Sequence, residues 1–284
     1  MTVGSLALLA HHDRDDAELH MATVARWCAD QRVEFWMPRS DAAEHDVNDW
    51  GSDRPVSDAD VVVSLGGDGT MLRSVHAVGG ADVPLLGVNL GSLGYLTEVE
   101  PDDLVEALDR YAAGPEGGRW RLDERMLLDV AVDGEVVGRA LNEVVVEKHQ
   151  SGHTVRLLAR IDGAHFTTYE ADGLIVATPT GSTAYSLSAR GPIVSPQHRA
   201  ILLTPVSPHM LFDRSLVLSP DEVVEIEIAG HRRAGVAIDG QPLHVLESGS
   251  VVRCTPSAAT ARFVRFGEAR HHQVLTTKFG LADR

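Results

Sequence analysis

The segment Gly66-Gly67-Asp68-Gly69-Thr70 concentrates residue types that handle phosphate. Glycines let a backbone approach a phosphate closely and take positive φ. A helix opening directly after them would add unpaired amide N–H groups and the positive end of its dipole. The pattern lacks the lysine of the G-x-x-x-x-G-K-[ST] loop and does not have the spacing of G-x-G-x-x-G. Its distinguishing residue is Asp68, because a carboxylate beside a phosphate cradle repels the phosphate by itself. Two arrangements make sense of it. Asp68 accepts a proton from an attacking hydroxyl, or it helps to hold a divalent cation such as Mg²⁺. A bare Gly-Asp-Gly more often marks a tight turn whose aspartate caps a helix; five such residues after a buried strand are more specific.

Other segments offer complementary chemistry. Gly87-Val88-Asn89-Leu90-Gly91-Ser92-Leu93-Gly94 is a second glycine-rich connection, expected to line the same cleft if its strand neighbours the first. Asn142-Glu143 interrupts an apolar run. Asn donates and accepts and Glu accepts, which suits ribose hydroxyls or a base edge, whereas the bland alternative is the polar face of an edge strand. Residues 172–186 run from Asp172 through an apolar strand into Thr178-Pro179-Thr180-Gly181-Ser182-Thr183, a stretch of N–H and O–H donors with little bulk, or simply a solvated loop. The 14 histidines, including His11-His12 and His271-His272, accompany no metal-ligand spacing, so no metal site is assigned to them.

The elements that must position these groups fall into two textures. In the first, Ser5-Leu6-Ala7-Leu8-Leu9-Ala10, Val33-Glu34-Phe35-Trp36-Met37, Val61-Val62-Val63-Ser64-Leu65 and Leu85-Leu86-Gly87-Val88 read as strands. Helical patterns stand between them: Met21, Val24, Ala25 and Cys28, then Met71, Leu72, Val75 and Val78, and beyond the last strand residues 102–113. Strand alternating with helix implies a parallel sheet covered on both faces. The second texture is mostly strands. Asp133-Gly134, Asp162-Gly163 and Asp239-Gly240 each separate two such runs, and Asp-Gly is a strong signal for type I′ hairpin turns, which need positive φ twice. The expected fold is therefore α/β plus all-β: an α/β domain over 1–118 with the tail 267–284, and a β-rich, sandwich-like domain over 119–266.

A net charge of −16 argues against nucleic acid or an anionic membrane as the main partner, since both call for a dense Lys/Arg field. It does not exclude a phosphorylated ligand, which loop amides and a bound cation can hold. Cys28 and Cys254 lie far apart and outside any C-x-x-C pattern, as expected of reduced, buried thiols. The apolar start has no basic flank, unlike a signal peptide, and no window reaches the length of a membrane span. The expectation is a cytoplasmic protein.

Together, Gly66 to Thr70, the segment Gly87 to Leu96, Asn142-Glu143 and 172–186 resemble the NAD kinase family (inorganic polyphosphate/ATP-NAD kinases), in order and spacing over about 61–241. A lone glycine–aspartate loop is also similar to those of lipid kinases and phosphofructokinase-like enzymes; the Thr-Pro-Thr-Gly-Ser-Thr-Ala-Tyr segment is far more specific. The resemblance implies transfer of a phosphoryl group from ATP, or polyphosphate, to the 2′-hydroxyl of the adenosine ribose of NAD, giving NADP. It also implies Mg²⁺ or another divalent cation with the donor, and a homodimer or homotetramer. By the same resemblance Asp68 is the proton acceptor, and Gly66, Gly67, Gly69 and Thr70 form the phosphate loop. Asp68, Gly69, Arg73, Asn142, Glu143, Asp172, Thr183, Ala184, Tyr185, Ser186, Leu187, Ser188 and Gln241 are dinucleotide contacts. His153, Glu170 and Ser207 fall at contact positions where members vary, and the acidic Glu170 departs most. A lipid or sugar kinase and a non-catalytic dinucleotide-binding regulator are the alternatives; a lipid kinase should carry a basic or amphipathic membrane-facing stretch.

A ribose hydroxyl is a poor nucleophile and a carboxylate is a weak base towards it. Phosphoryl transfer through a loose transition state depends chiefly on positioning and charge stabilisation. The expected role of Asp68 is therefore to aim the hydroxyl and take its proton late.

Overall fold

A computed structural model describes residues 3–12, 17–267 and 271–281. The chain divides into two compact units, 1–124 with 261–284, and 125–260.

In the first unit, strand β1 (Ser5–Ala10) leads to helix α1 (Ala17–Gln31), then β2 (Glu34–Pro38), α2 (Arg39–Glu44) and the short β3 (Gly51–Ser52). Next come β4 (Val61–Gly66), α3 (Asp68–Val78), β5 (Pro84–Asn89), α4 (Leu104–Ala112) and α5 (Gly114–Gly118). The strands pair in parallel in the order β5-β4-β1-β2-β3. β1 and β4 are buried along their whole length, as their unbroken apolar sequences require of strands covered on both faces. Met21, Val24 and Cys28 of α1 join Leu6, Leu8, Val61, Val63 and Leu86 in one core. Strand order reverses between β1 and β4, and this switch point is where an open α/β sheet leaves a crevice at its carboxyl ends. Gly114-Pro115 follows the end of α4 and opens α5.

Strand β6 (Arg121–Val132) enters the second unit, followed by β7 (Glu135–Ala140), β8 (Glu143–Lys148), β9 (Val155–Ile161), β10 (Ala164–Ala171) and β11 (Gly173–Ala177). A 3₁₀ turn at Thr180–Thr183 and the one-turn helix α6 (Tyr185–Ser188) precede β12 (Ile201–Val206). Then come β13 (Leu216–Leu218), β14 (Val224–Ile228), β15 (Ala234–Ile238), β16 (Gln241–Leu246) and β17 (Val251–Arg265); α7 (His271–Phe279) belongs to the first unit. One sheet has the order β13-β12-β11-β8-β15-β16. The other runs β10-β9-β14-β17, with the β6–β7 hairpin paired to β17. The pairs β8–β11, β11–β12, β12–β13, β8–β15, β15–β16, β9–β10, β9–β14, β14–β17 and β6–β7 of the second unit are antiparallel. Val144, Val146, Leu174 and Val176 of the first sheet share a core with Leu157, Ile226 and Val252 of the second, so the unit is a sandwich.

All three Asp-Gly pairs turn hairpins with positive φ at both residues: Asp133 50° and Gly134 88°, Asp162 49° and Gly163 76°, Asp239 47° and Gly240 79°. Glu143 does not lie on an edge strand. β8 is hydrogen-bonded on both sides, to β11 and β15.

Candidate functional site

In the first unit the loops after β1, β4 and β5 meet at a cleft of about 460 Å³. Its walls are His11 and His12, then Gly67, Asp68, Gly69, Thr70 and Arg73, then the loop from Gly91 to Gly94, with Lys278 of α7. The glycine segment runs straight from strand into helix. Gly66, Gly67 and Gly69 do not take positive φ, contrary to expectation. Their value is steric. A Cβ on Gly66 would lie 2.2 Å from Thr70 Oγ1, whereas Gly67 and Gly69 face open space with nothing within 4 Å. That leaves bare backbone at the start of an 11-residue helix, where amides have no intrahelical acceptor.

Asp68 is not a helix cap. Gly67 occupies the N-cap and no side chain caps the helix. The carboxylate turns to the β5 connection, where Oδ2 accepts the Tyr95 N–H and Oδ1 the Leu96 N–H, both at 2.9 Å. Both oxygens are fixed, and each keeps acceptor capacity for a further proton donor. Lys278 Nζ lies 4.4 Å from the centre of the Tyr95 ring. Arg73 lines the cleft, but its guanidinium is engaged: it contacts the Ala10 carbonyl and the His12 ring and pairs with Asp41 at 3.1 Å. His11, His12 and Lys278 carried no motif. The adjacency of β1 to β4 would have flagged the two histidines, as residues following a neighbouring strand end.

In the second unit Asn142 and Glu143 sit where β7 gives way to β8. The Asp239 carboxylate accepts the N–H groups of Leu141, Asn142 and Glu143 at 2.8, 2.7 and 3.0 Å. Glu143 is 5% exposed and its Oε2 has no hydrogen-bond partner. Burial, and then the neighbouring Asp239 charge, push the Glu143 carboxyl up to about 7, against a lowering by the Tyr185 amide. Asp172 pairs with Lys148 Nζ at 2.6 Å.

The hydroxyl-rich segment behaves differently from the expectation of free donors. Thr178 Oγ1 donates to the Leu141 carbonyl at 2.5 Å, Thr183 Oγ1 to the Thr180 carbonyl at 3.2 Å, and Ser182 Oγ to that of Val194 at 3.1 Å. Ser186 is fully buried against Thr204. These hydroxyls fold the segment, because a chain leaving a buried strand must satisfy its own polar groups first. Tyr185 and Ser188 are the exposed residues of α6, with Thr183, Ala184 and Leu187 half-buried beside them. His153 is exposed beside Gln150, His231, Arg232 and Arg233. Glu170 is exposed on β10 and accepts from Thr154 Oγ1 at 3.4 Å. Ser207, at φ 45°, follows β12, and Gln241 is exposed at the first position of β16.

Among the described residues no group of three or more His, Cys, Asp or Glu side chains could hold a metal. Cys28 and Cys254 are buried, and burial pushes both thiols up to about 12, which suits inert core residues. No described helix is long and apolar enough to cross a membrane.

A parallel α/β unit with an aspartate in its phosphate-type loop, joined to a β-sandwich with buried polar groups, defines a nucleotide-handling class. Residues 6–115 match the family described as the ATP-NAD kinase N-terminal domain, and 141–266 match the ATP-NAD kinase C-terminal domain. The chain is 39% identical to a NAD kinase of Heliobacterium modesticaldum over 281 residues, 96% of this chain and 98% of that one. Its fold is similar to that of yeast NADH kinase complexed with NADH, with TM-score 0.88 and 25% identity, covering all of this chain and 89% of that one. It is also similar in fold to an Archaeoglobus fulgidus NAD kinase in complex with ATP, with TM-score 0.75 and 24% identity over 98% of this chain and 100% of that one. The chain belongs to the NAD kinase family.

Gly94 tests the geometry around Asp68. A Cβ there would stand 2.4 Å from Asp68 Oδ1 and 2.6 Å from Thr97 Oγ1. Gly94→Ala must push the carboxylate off its amides, and if Asp68 takes part in the chemistry turnover should fall roughly 10- to 100-fold, as misplacement of a reacting group by an ångström does. Steady-state kinetics on a variant whose unfolding temperature stays within a few degrees of wild type checks this. Unchanged turnover would show that the carboxylate's placement is unimportant.

Proposed function

We propose that this chain transfers the γ-phosphoryl group of ATP to the 2′-hydroxyl of the adenosine ribose of NAD, making NADP. The observation that carries the reading is the Asp68 carboxylate, held by two amides at 2.9 Å beside the open backbone of Gly67 and Gly69, in a chain of the NAD kinase family. The ribose oxygen attacks Pγ, the bond from Pγ to the bridging oxygen breaks, and ADP leaves. The hydroxyl proton passes to Asp68 late, once the new bond has acidified it. The amides of the 66–70 loop and Arg73 stabilise the phosphoryl oxygens, and the cation that accompanies ATP supplies charge neutralisation.

The α/β unit handles phosphate, and the β-rich unit holds the dinucleotide. Asn142 and Glu143 grip ribose and base, Asp172 and the 183–188 stretch hold its far part, and Gln241 approaches the reacting end. Ser186 contributes through its backbone, since its hydroxyl is buried against Thr204. His153, Glu170 and Ser207 border the dinucleotide. The enzyme works in the cytoplasm as a homodimer or homotetramer.

Incubation with ATP, Mg²⁺ and NAD tests the reaction, with product read by a dehydrogenase specific for NADP. ATP-dependent NADP formation is expected. NAD binding without product would leave a dinucleotide-binding regulator, and neither binding nor product would point to a different acceptor.

A further inference from the structure

The three Asp-Gly hairpin turns share one backbone geometry, but their aspartates do different things. Asp133 and Asp162 are exposed, and each holds a single amide of a neighbouring segment, Val251 at 2.7 Å and Val223 at 2.9 Å. Asp239 is buried and gathers the three consecutive amides of Leu141, Asn142 and Glu143. The carbonyls of the same residues are also taken. Leu141 O accepts Thr178 Oγ1 at 2.5 Å, Asn142 O accepts the Thr178 N–H at 2.9 Å, and Glu143 O accepts the Asp239 N–H at 2.9 Å. Two residues thus bond all six backbone polar groups of 141–143.

The side chains on that clamped backbone are left available. The Asn142 amide group makes no hydrogen bond to a described residue, and Glu143 Oε2 has none. The arrangement is also costly. Burial and then the Asp239 charge disfavour ionisation of Glu143, and exposed aspartates serve the turns at 133 and 162. Three converging amides draw 141–143 into one conformation.

We infer that Asp239 is a positioning residue of the dinucleotide-binding site, which through the backbone amides of 141–143 sets the Asn142 and Glu143 side chains to grip the dinucleotide. The inference rests on the reading that Asn142 and Glu143 bind NAD. Asp239 itself touches the polypeptide, so its removal should weaken NAD binding far more than ATP use. Its charge also faces Glu143, which interacts with the Tyr185 amide and phenol as well. Neutralising Asp239 should therefore let Glu143 ionise at lower pH, an effect that mere loosening of a hairpin would not produce.

The test compares full-length wild type with Asp239→Asn, Asp239→Glu, Asn142→Ala, and the matched turn variants Asp133→Asn and Asp162→Asn. Asp239→Asn turns a donor towards an amide that needs an acceptor, and Asp239→Glu keeps the charge on a longer arm. The KM for NAD should rise about 10- to 100-fold in Asp239→Asn, the effect of losing hydrogen bonds to a charged group. It should rise less in Asp239→Glu, with the KM for ATP unchanged in both. Asp133→Asn and Asp162→Asn should bind NAD as wild type does. The break in NAD affinity against pH should move to lower pH in Asp239→Asn alone. Equal losses in all three turn variants, an unshifted break, or failure of both Asp239 variants to fold would overturn the positioning role, since each would mark a structural one. If Asn142→Ala leaves the KM for NAD unchanged, the dinucleotide reading of 142–143 fails, whatever Asp239 does.

Discussion

Asp68→Asn should lower kcat by about 10²–10⁴-fold, the usual worth of a positioned acid–base group. Shape is nearly conserved, but on the proposed mechanism the variant loses the acceptor for the ribose proton. It also turns an –NH₂ towards one of the two amides now held at 2.9 Å, Tyr95 N–H or Leu96 N–H. The second effect predicts a stability loss of about 1–3 kcal/mol, the cost of a polar group left unpaired, and unfolding measurements on the variant would separate it from the chemistry. NAD affinity should stay within a few-fold of wild type. Near wild-type turnover with intact NAD binding would refute proton acceptance, and the loop amides and Arg73 would then carry the whole rate enhancement. Because the transition state is loose, the loss should sit in kcat and not in either KM.

The second large effect concerns stability and pH. Glu143 is buried, and burial followed by the Asp239 charge raises its carboxyl from the ordinary 4.5 to about 7. Below about 4.5 the group is protonated folded and unfolded, and it costs nothing. Between 4.5 and 7 the unfolded chain releases the proton while the folded chain keeps it, so stability falls as pH rises. Above about 7 both states are ionised and the deficit is constant. A shift of that size corresponds to roughly 3 kcal/mol. Glu143→Gln should abolish this pH dependence and be more stable than wild type at pH 8 by about 1–3 kcal/mol, with no gain at pH 4.5. It should bind NAD more weakly, a trade of function for stability. Urea unfolding at the two pH values checks this; equal pH dependence in the two proteins would mean that Glu143 is already ionised at low pH.

Local signals in the sequence were dependable where the physics is local. The Asp-Gly pairs at 133, 162 and 239 each turned a hairpin with two positive φ values, because that requirement is met within two residues. The apolar runs at β1, β4 and β5 became buried parallel strands, and the glycine–aspartate segment opened a helix. Edge and centre could not be told apart from periodicity. The edge-strand alternative for Asn142-Glu143 fails because β8 is bonded on both sides; an alternation pattern says which face is buried and not which strand lies alongside. The hydroxyls of 178–186 read as free donors, whereas four of them are bonded, one within the segment and three to Leu141, Val194 and Thr204.

What the amino-acid sequence determined by itself was the glycine–aspartate loop, its place after a buried strand, and hence a phosphate chemistry with a carboxylate in it. Tertiary structure decided what that carboxylate is attached to. The amides that fix Asp68 lie 27 and 28 residues away. Those that Asp239 gathers lie 96 to 98 residues away. Such bonds depend on which strand ends the sheet order brings together, and short-range propensity carries no record of that order.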